Sequence, residues 1–314
     1  MGNFVLSFTQ LTKKDVAIAG GKGASLGEMT QAGIPVPSGF VILATAFDRF
    51  LHETDLEVDI EAHLKKVNYK DINSVDKTSA IIRDLIHDAK MPKDLQIIIM
   101  GEFKKLKSKY VAVRSSATAE DSSQASWAGE LETFLNTTDK TLLKHVKDCW
   151  SSLFTPRAIF YRHEKKLHKA KVSVAVVVQA MVQSEIAGIA FTVHPVTKDK
   201  KQMIIEAGYG LGEAVVSGQV TPDSYVIDKS SLTLLDINVA EQKKYLVQRA
   251  GGGNLWKILP RAKQGQQKLK GREIVELSKI CIGIEKHYKF PCDIEWAYSR
   301  GKFYITQSRP ITTL

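Results

Sequence analysis

The stretch CDIEWAYSRGKFYITQSRP, residues 292–310, carries most weight in predicting the fold, because two strand-like segments stand on either side of a short polar break. The segments cover residues 292–297 and 302–307. Asp293 and Glu295 are two residues apart on the first segment, so their side chains face the same side of the strand. Apolar residues alternate with them and face the other side.

This carboxylate pair predicts a magnesium site. Two acids on one face of a strand are costly inside a fold unless a cation or a base offsets them. Mg²⁺ is typically bound by one or two carboxylates together with phosphate oxygens. If the two strands form a hairpin, Gln307 and Arg309 converge with Glu295, and Arg309 would offset charge that develops during phosphoryl transfer. The alternative is a half-exposed strand with an ordinary polar face.

Two stretches nearer the N-terminus have features of phosphate binding. In GGKG, residues 20–23, a glycine-rich backbone precedes a helix pattern over 24–32, and Lys22 adds a full charge to the helix N-terminus. The spacing is not that of a P-loop. In RSSATAED, residues 114–121, Arg114 leaves a predicted strand and enters a hydroxyl-rich loop that suits a polyphosphate. The alternatives are a glycine-rich turn with a solvated lysine and a capped helix start.

Composition restricts the class of protein. A length of 314 residues predicts about two domains, and the net charge of +10 fits either attraction to an anion or a lysine-rich solvated surface. Nucleic-acid binding is not expected, because the basic runs lack neighbouring aromatic platforms. Three cysteines without CxxC spacing argue against disulfides or zinc and fit a reducing cytoplasm. The longest apolar run, 172–182, is too short to span a membrane.

The order of patterns indicates two lobes. Residues 45–109 have a helical pattern, and residues 172–179 form a nearly continuous β-branched run that is typical of a buried strand. After Met181, short strands dominate. We therefore predict an α+β protein with one lobe over residues 1–182 and a second over residues 183–314.

Several motifs together resemble the N-terminal nucleotide-binding part of phosphoenolpyruvate synthase and its relatives, pyruvate phosphate dikinase and rifampicin phosphotransferase. They follow the family order over nearly the whole chain. The matching motifs are GGKGASLGEM (20–29), GIPVPSGF (33–40), RSSATAED (114–121), SWAGELETFLN (126–136), FTPRAIFYR (154–162), VVVQAMV (176–182), GLGEAVVSG (210–218), DIEWA (293–297) and QSRP (307–310).

The resemblance implies an ATP-grasp fold with ATP in the cleft between two lobes. It also implies that the β-phosphoryl of ATP passes to a histidine, which leaves AMP and phosphate, and that the histidine then phosphorylates a final acceptor. Lys22 and Arg114 would grip the phosphates, and Gly129 and Thr133 would belong to a lid over them. Gln179 would contact adenine, flanked by Met181 and Val182. Glu295 would bind Mg²⁺, helped by Asp293, and Gln307 and Arg309 would complete the phosphate and metal site.

The chain also departs from the family pattern. The phospho-accepting histidine of these enzymes lies in a Thr-Ser/Cys-His motif on a separate swivelling domain, and none of the eight histidines here follows Ser or Thr in that way. An acceptor-binding domain is not recognisable either. We therefore expect the chain to be part of a longer or split enzyme that alone binds ATP and Mg²⁺ without completing a transfer. The alternatives are the equivalent part of a rifampicin phosphotransferase and a regulatory ATP-binding module; pyruvate phosphate dikinase, whose loop differs, ranks lower.

Overall fold

The structure is a computed structural model that describes residues 3–118, 132–165 and 173–312. Helices and sheets are mixed, as predicted, and the chain separates into two compact units. The first unit contains Met1–Glu28 and Ser38–Met181, and the second contains Met29–Pro37 and Val182–Leu314. Within the described ranges, no helix combines the length and the hydropathy that crossing a bilayer requires.

The first unit is built on an antiparallel sheet of five described strands in the order β1-β2-β5-β3-β4. The strands are β1 (Val5–Ser7), β2 (Gly39–Ile42), β3 (Val111–Ala117), β4 (Thr133–Thr137) and β5 (Val174–Ala180). The central strand β5 has neighbours on both sides, and its residues 174–179 are all buried. Burial on both faces explains why this strand is apolar almost without interruption.

Among the described residues, six helices accompany one face of this sheet and bury an apolar cluster with it. They are α2 (Ala44–Glu53), α3 (Leu56–Lys65), α4 (Ile72–Asp88), α5 (Lys93–Lys105), α6 (Leu142–Ser151) and α7 (Pro156–Glu164). At the centre, the Trp150 ring stacks on Phe47 and Phe50 with centroid separations of 5.5 and 5.0 Å. Alternate residues of β3, such as Val111 and Val113, point into this cluster, so the residues between them face the opposite side.

The first helix, α1 (Val16–Gln31), begins earlier than the sequence pattern predicted. The prediction of a helix from residue 24 was wrong, because a short helical segment already precedes the glycines. Gly20 interrupts the helix with φ +68° and ψ 170°, a conformation that favours glycine. The helix therefore starts a second time immediately after Gly20, and Lys22 lies in its new first turn.

The second unit contains a six-stranded sheet in the order β13-β12-β6-β7-β8-β9 and a separate two-stranded ribbon, β10-β11. The strands are β6 (Ile186–Phe191), β7 (Gln202–Tyr209), β8 (Asp223–Asp228), β9 (Leu234–Asn238), β10 (Lys244–Gln248), β11 (Asn254–Ile258), β12 (Cys292–Ser299) and β13 (Lys302–Pro310). The predicted hairpin of the last two strands is confirmed. Arg300 and Gly301 form its two-residue turn with φ of +52° and +75°, as in a type I′ turn.

Three helices belong to this unit: α8 (Glu213–Val216), α9 (Arg261–Gln264) and α10 (Gly271–Tyr288). The long helix α10 covers one face of the six-stranded sheet, where Ile294 and Trp296 are fully buried. Tyr298, on the same side of β12, donates a hydrogen bond from its hydroxyl to Glu273 of α10 at 3.1 Å. Asp293 and Glu295 consequently lie on the opposite face, where residues are only partly buried.

Candidate functional site

The hairpin of the second unit brings together Glu295, Gln307 and Arg309, as predicted from the sequence, and adds Asp293 on the same face. In the register of β12 and β13, Asp293 lies opposite Arg309, and Glu295 lies opposite Gln307. Directly paired residues of an antiparallel ladder share a face. All four side chains therefore project from the same face of the sheet, the one that α10 does not cover.

Asp293 and Arg309 form the charged end of this cluster. Arg309 donates from Nε and Nη2 to the same carboxylate oxygen, Oδ2 of Asp293, at 2.8 and 2.7 Å. Burial raises the pKa of Asp293, and Arg309 opposes this rise. Oδ1 of Asp293 has no hydrogen-bond partner among the described residues, so this oxygen is available to a cation.

The oxygen donors of this cluster fit Mg²⁺ in a nucleotide complex. Asp293, Glu295 and the amide oxygen of Gln307 are hard ligands, and Mg²⁺ in such sites takes only one or two carboxylates, because phosphates and waters complete its shell. In the part of the chain that the structure describes, no three His, Cys, Asp or Glu residues are arranged to hold a metal without such help. The cluster is therefore suited to a metal that arrives with a phosphate ligand.

Sequence reasoning missed one residue on this face. Glu206 of β7 pairs with Ile189 of β6, which in turn pairs with Glu295. The side chains of all three residues therefore project from the same face. Burial raises the pKa of Glu206, and the nearby Asp293 raises it further. The only sequence signal was a single acid in the apolar segment MIIEAG. Whether this acid shares a face of the sheet with Glu295 depends on the strand order.

In the first unit, the glycine-rich start of α1 lies directly against β3. A Cβ atom added at Gly20 would be only 2.1 Å from Oγ of Ser116, so any side chain there is excluded. The backbone N–H of Gly23 donates to the same hydroxyl at 3.4 Å. Ser116 thus holds the N-terminus of the restarted helix in place, and Lys22 remains partly exposed.

Arg114 occupies a different position from the predicted one. It does not leave the strand, because β3 continues through Ala117, and the prediction of a loop beginning at Arg114 was wrong. Arg114 lies two residues from Ser116 on β3 and therefore projects toward the side on which α1 lies. Its neighbours in the register are Thr133 of β4 and Val177 of β5.

Gln179 projects from the same face as Arg114. It pairs with Ala112 of β3, which is two residues from Arg114 and therefore on the same face. Lys22, Arg114, Thr133 and Gln179 are thus gathered on the α1 side of the sheet, opposite the large apolar cluster. The strand register, rather than proximity in sequence, produces this grouping.

The Gln179 side chain has an unused hydrogen-bond donor. The residue is only 2% exposed, and its Nε2 has no hydrogen-bond partner among the described residues. A buried amide donor without a partner is rare and costs stability, so such a group calls for an explanation. A ring nitrogen of a nucleobase would be a suitable acceptor, which agrees with the adenine contact expected from the family resemblance.

The remaining predicted residues are less informative. Met181 and Val182 are partly buried and stand where the chain passes from the first unit to the second. The backbone N–H of Met181 donates to the carbonyl of Tyr110 at 3.0 Å, which fixes the end of β5. Gly129 lies outside the described residues.

Comparison with known proteins identifies the family. Residues 16–314 match the family described as "Pyruvate phosphate dikinase, AMP/ATP-binding domain". The chain therefore belongs to this family of ATP-binding domains, and the expectation drawn from its motifs is confirmed.

Several relatives are similar over nearly the whole chain. A "Probable phosphoenolpyruvate synthase" of Methanocaldococcus jannaschii is 46% identical over 99% of this chain and 27% of its own length. One of Archaeoglobus fulgidus is 46% identical over 99% of the chain and 42% of its own length. A "Rifampicin phosphotransferase" of Bacillus subtilis is 36% identical over 100% of the chain and 36% of its own length. The chain thus spans less than half the length of these three relatives.

Among solved structures, a D-alanine–D-alanine ligase from Bacillus anthracis aligns with 92% of this chain and 56% of its own length. The TM-score is 0.32 and the identity is 9%, values too low to assign the fold.

Proposed function

We propose that this chain is the nucleotide-activating part of a dikinase-type phosphotransferase of the phosphoenolpyruvate synthase kind. In this proposal it has the ATP-grasp fold and binds ATP with Mg²⁺ between its two lobes. The β-phosphoryl group passes to a histidine on a separate swivelling domain, and AMP and phosphate are released. The histidine then phosphorylates an acceptor bound on a further domain. The three cysteines of the chain are all free and buried, which fits the reducing cytoplasm expected from the sequence.

The observation that carries this proposal is the cluster of four polar side chains on one face of the hairpin in the second unit. Asp293 faces Arg309 and Glu295 faces Gln307, so two acids, an amide and a guanidinium share one face. Acids alone would suit a bare cation, and a guanidinium alone would suit a bare phosphate. The combination suits a cation that is already bound to phosphate oxygens.

Each residue has a distinct task in the proposal. Mg²⁺, when bound, neutralises phosphate charge, and Glu295, with Asp293 and Gln307, would hold it. Arg309, which is part-exposed beside Asp293, offsets the charge that builds on the transferred group. In the first unit, Lys22 and Arg114 bind phosphate oxygens, and Lys22 acts at the N-terminus of the restarted helix, where the helix dipole also favours an anion.

Identity to the relatives favours the synthase over the antibiotic-modifying enzyme. The chain is 46% identical to two probable phosphoenolpyruvate synthases and 36% identical to a rifampicin phosphotransferase. The retention of Lys22, Arg114 and Glu295 also argues against a regulatory module that has lost its chemistry.

Thermal melting with and without ATP and Mg²⁺ tests the ATP site. Ligand at about 100 times its dissociation constant should stabilise the chain by roughly 2.7 kcal/mol. Lys22→Ala and Glu295→Ala should abolish most of this gain. Glu241→Ala is the matched control, since Glu241 is an exposed acid of the second unit and should leave the gain intact. If millimolar ATP stabilised neither the unmodified chain nor the control, the proposed nucleotide site would be contradicted.

A further inference from the structure

The proposed reaction requires a second phosphoryl acceptor besides the histidine. ATP has three phosphoryl groups, and the products named above are AMP, one phosphohistidine and one free phosphate. The γ-phosphoryl must therefore be taken by water. Water is a weak nucleophile, and enzymes that use it commonly place a carboxylate or histidine within reach to accept its proton.

Glu206 is an unassigned carboxylate on the face that carries the proposed metal ligands. The register places Glu295, Ile189 and Glu206 in one row across three neighbouring strands. Two strand spacings separate the backbones of Glu206 and Glu295, which is about 10 Å. The two side chains extend from the same face of the sheet, so the Glu206 carboxylate can approach a phosphate or a water that is bound at the proposed metal ligands.

The other acids considered on this face are already held by hydrogen bonds or are proposed as metal ligands. Asp293 is held by Arg309 through two contacts under 3 Å. Glu295 is the proposed metal ligand, and Asp236 lies on the edge strand β9, where it accepts the N–H of Ile237 at 2.9 Å. The Glu206 side chain has neither a hydrogen bond nor an ion pair with any described residue, and the residue is half-buried. A carboxylate in that state is available to a water molecule.

We propose that Glu206 is the general base that activates the water attacking the γ-phosphorus of ATP, an inference that rests on the function proposed above. One proton of the water moves to the Glu206 carboxylate as the water oxygen forms a bond to the γ-phosphorus. The bond between that phosphorus and the β,γ-bridging oxygen breaks, and the electron pair remains on the bridging oxygen. Inorganic phosphate leaves, and Glu206 returns its proton to solvent.

The test measures ATP binding and phosphate release separately on the full chain with ATP and Mg²⁺. Glu206→Gln keeps the size of the side chain and removes the base. Phosphate release should fall by about 10²- to 10⁴-fold, while the ATP dissociation constant stays within about threefold. Asp236→Asn is the matched control on the same face and should change neither quantity. In Glu206→Ala, added formate should restore part of the release, because a small carboxylate can replace the missing base.

The other outcomes overturn the inference in different ways. Equal losses of binding and release in Glu206→Gln would make Glu206 a residue that holds the nucleotide. Unchanged release in Glu206→Gln, or no release from an unmodified chain that binds ATP, would show that Glu206 activates no water here. Absence of ATP binding in the unmodified chain would instead contradict the proposed function itself.

Discussion

Replacing Lys268 with methionine should destabilise the second unit more than any surface charge change, because Lys268 and Asp223 form a completely buried ion pair. Both side chains are 0% exposed, and Nζ of Lys268 lies 2.7 Å from Oδ1 of Asp223. Asp223 also accepts hydrogen bonds from the Tyr225 hydroxyl at 2.8 Å, from the Ala240 N–H at 3.0 Å and from the Lys268 N–H at 2.8 Å.

The magnitude follows from what the substitution leaves behind. Removing one partner of a buried ion pair costs about 3–5 kcal/mol, because the other charge stays buried without compensation. Lys268→Met preserves most of the volume and all three remaining donors to Asp223, so we expect the lower end, about 3 kcal/mol. The Ala240 carbonyl, which accepts from Nζ at 2.5 Å, also loses its donor. Adding Asp223→Asn removes the residual charge and should recover part of the loss.

Urea unfolding followed by circular dichroism measures this difference. Lys243→Met is the control in the same unit, because Lys243 and Glu241 are 72% and 58% exposed and 4.0 Å apart. Such a surface pair contributes at most about 1 kcal/mol. A cost for Lys268→Met no larger than that of Lys243→Met would refute the reasoning that burial of this pair determines its value.

Three further predictions test local features. Gly27→Ala should destabilise the chain by roughly 1–3 kcal/mol, because the new Cβ would lie 2.5 Å from Cβ of Leu11. Gly101→Ala, at an open position in a helix, should instead stabilise the chain by roughly 0.5–1 kcal/mol. The denaturant midpoints of the two variants distinguish these effects. Glu206→Gln should stabilise the ligand-free chain at neutral pH, because the raised pKa of Glu206 means that its ionised form disfavours the fold. This gain in the free energy of unfolding should vanish at pH values below the usual carboxylate pKa, where Glu206 is protonated in both the folded and the unfolded chain. A series of unfolding curves at different pH values checks this, and a gain unchanged at low pH would contradict the stated cause. Gln179→Met should leave ligand-free melting equal or higher and weaken ATP binding by calorimetry; a large loss of stability would show that the amide is already satisfied.

The predicted hairpin was accessible from sequence because its two strands and its two-residue turn are local features. Alternation with a period of two fixes which residues of one strand share a face. The pairing of Asp293 with Arg309 also requires the β-bulge between Glu295 and Trp296, which shifts the register by one residue and which the sequence pattern did not predict. Arg114 was assigned to a loop because the hydroxyl-rich residues after it have turn propensity. In the structure, pairing with β5 keeps these residues in the strand through Ala117. Tertiary pairing overrides local propensity at such positions.

The position of Glu206 could not be predicted from local sequence patterns. Whether a residue shares a face of the sheet with Glu295 depends on which strands are neighbours, and β7 is connected to β12 only through β6. The Gly20–Ser116 contact is of the same kind, since it joins residues 96 positions apart in sequence. Pairings of this range require the sheet topology, which no sequence window contains.

Gln179 and Glu206 share a physical property that links stability to function. Each presents a polar group that the described part of the fold does not satisfy, one an amide donor and the other a carboxylate. A fold optimised for stability alone would replace both, because each costs free energy in the absence of ligand. If such groups exist to meet a ligand, removing them should raise the stability of the ligand-free chain and lower binding or turnover together. A purely structural residue such as Lys268 should behave oppositely, since its loss costs stability first and affects ATP only through the fold.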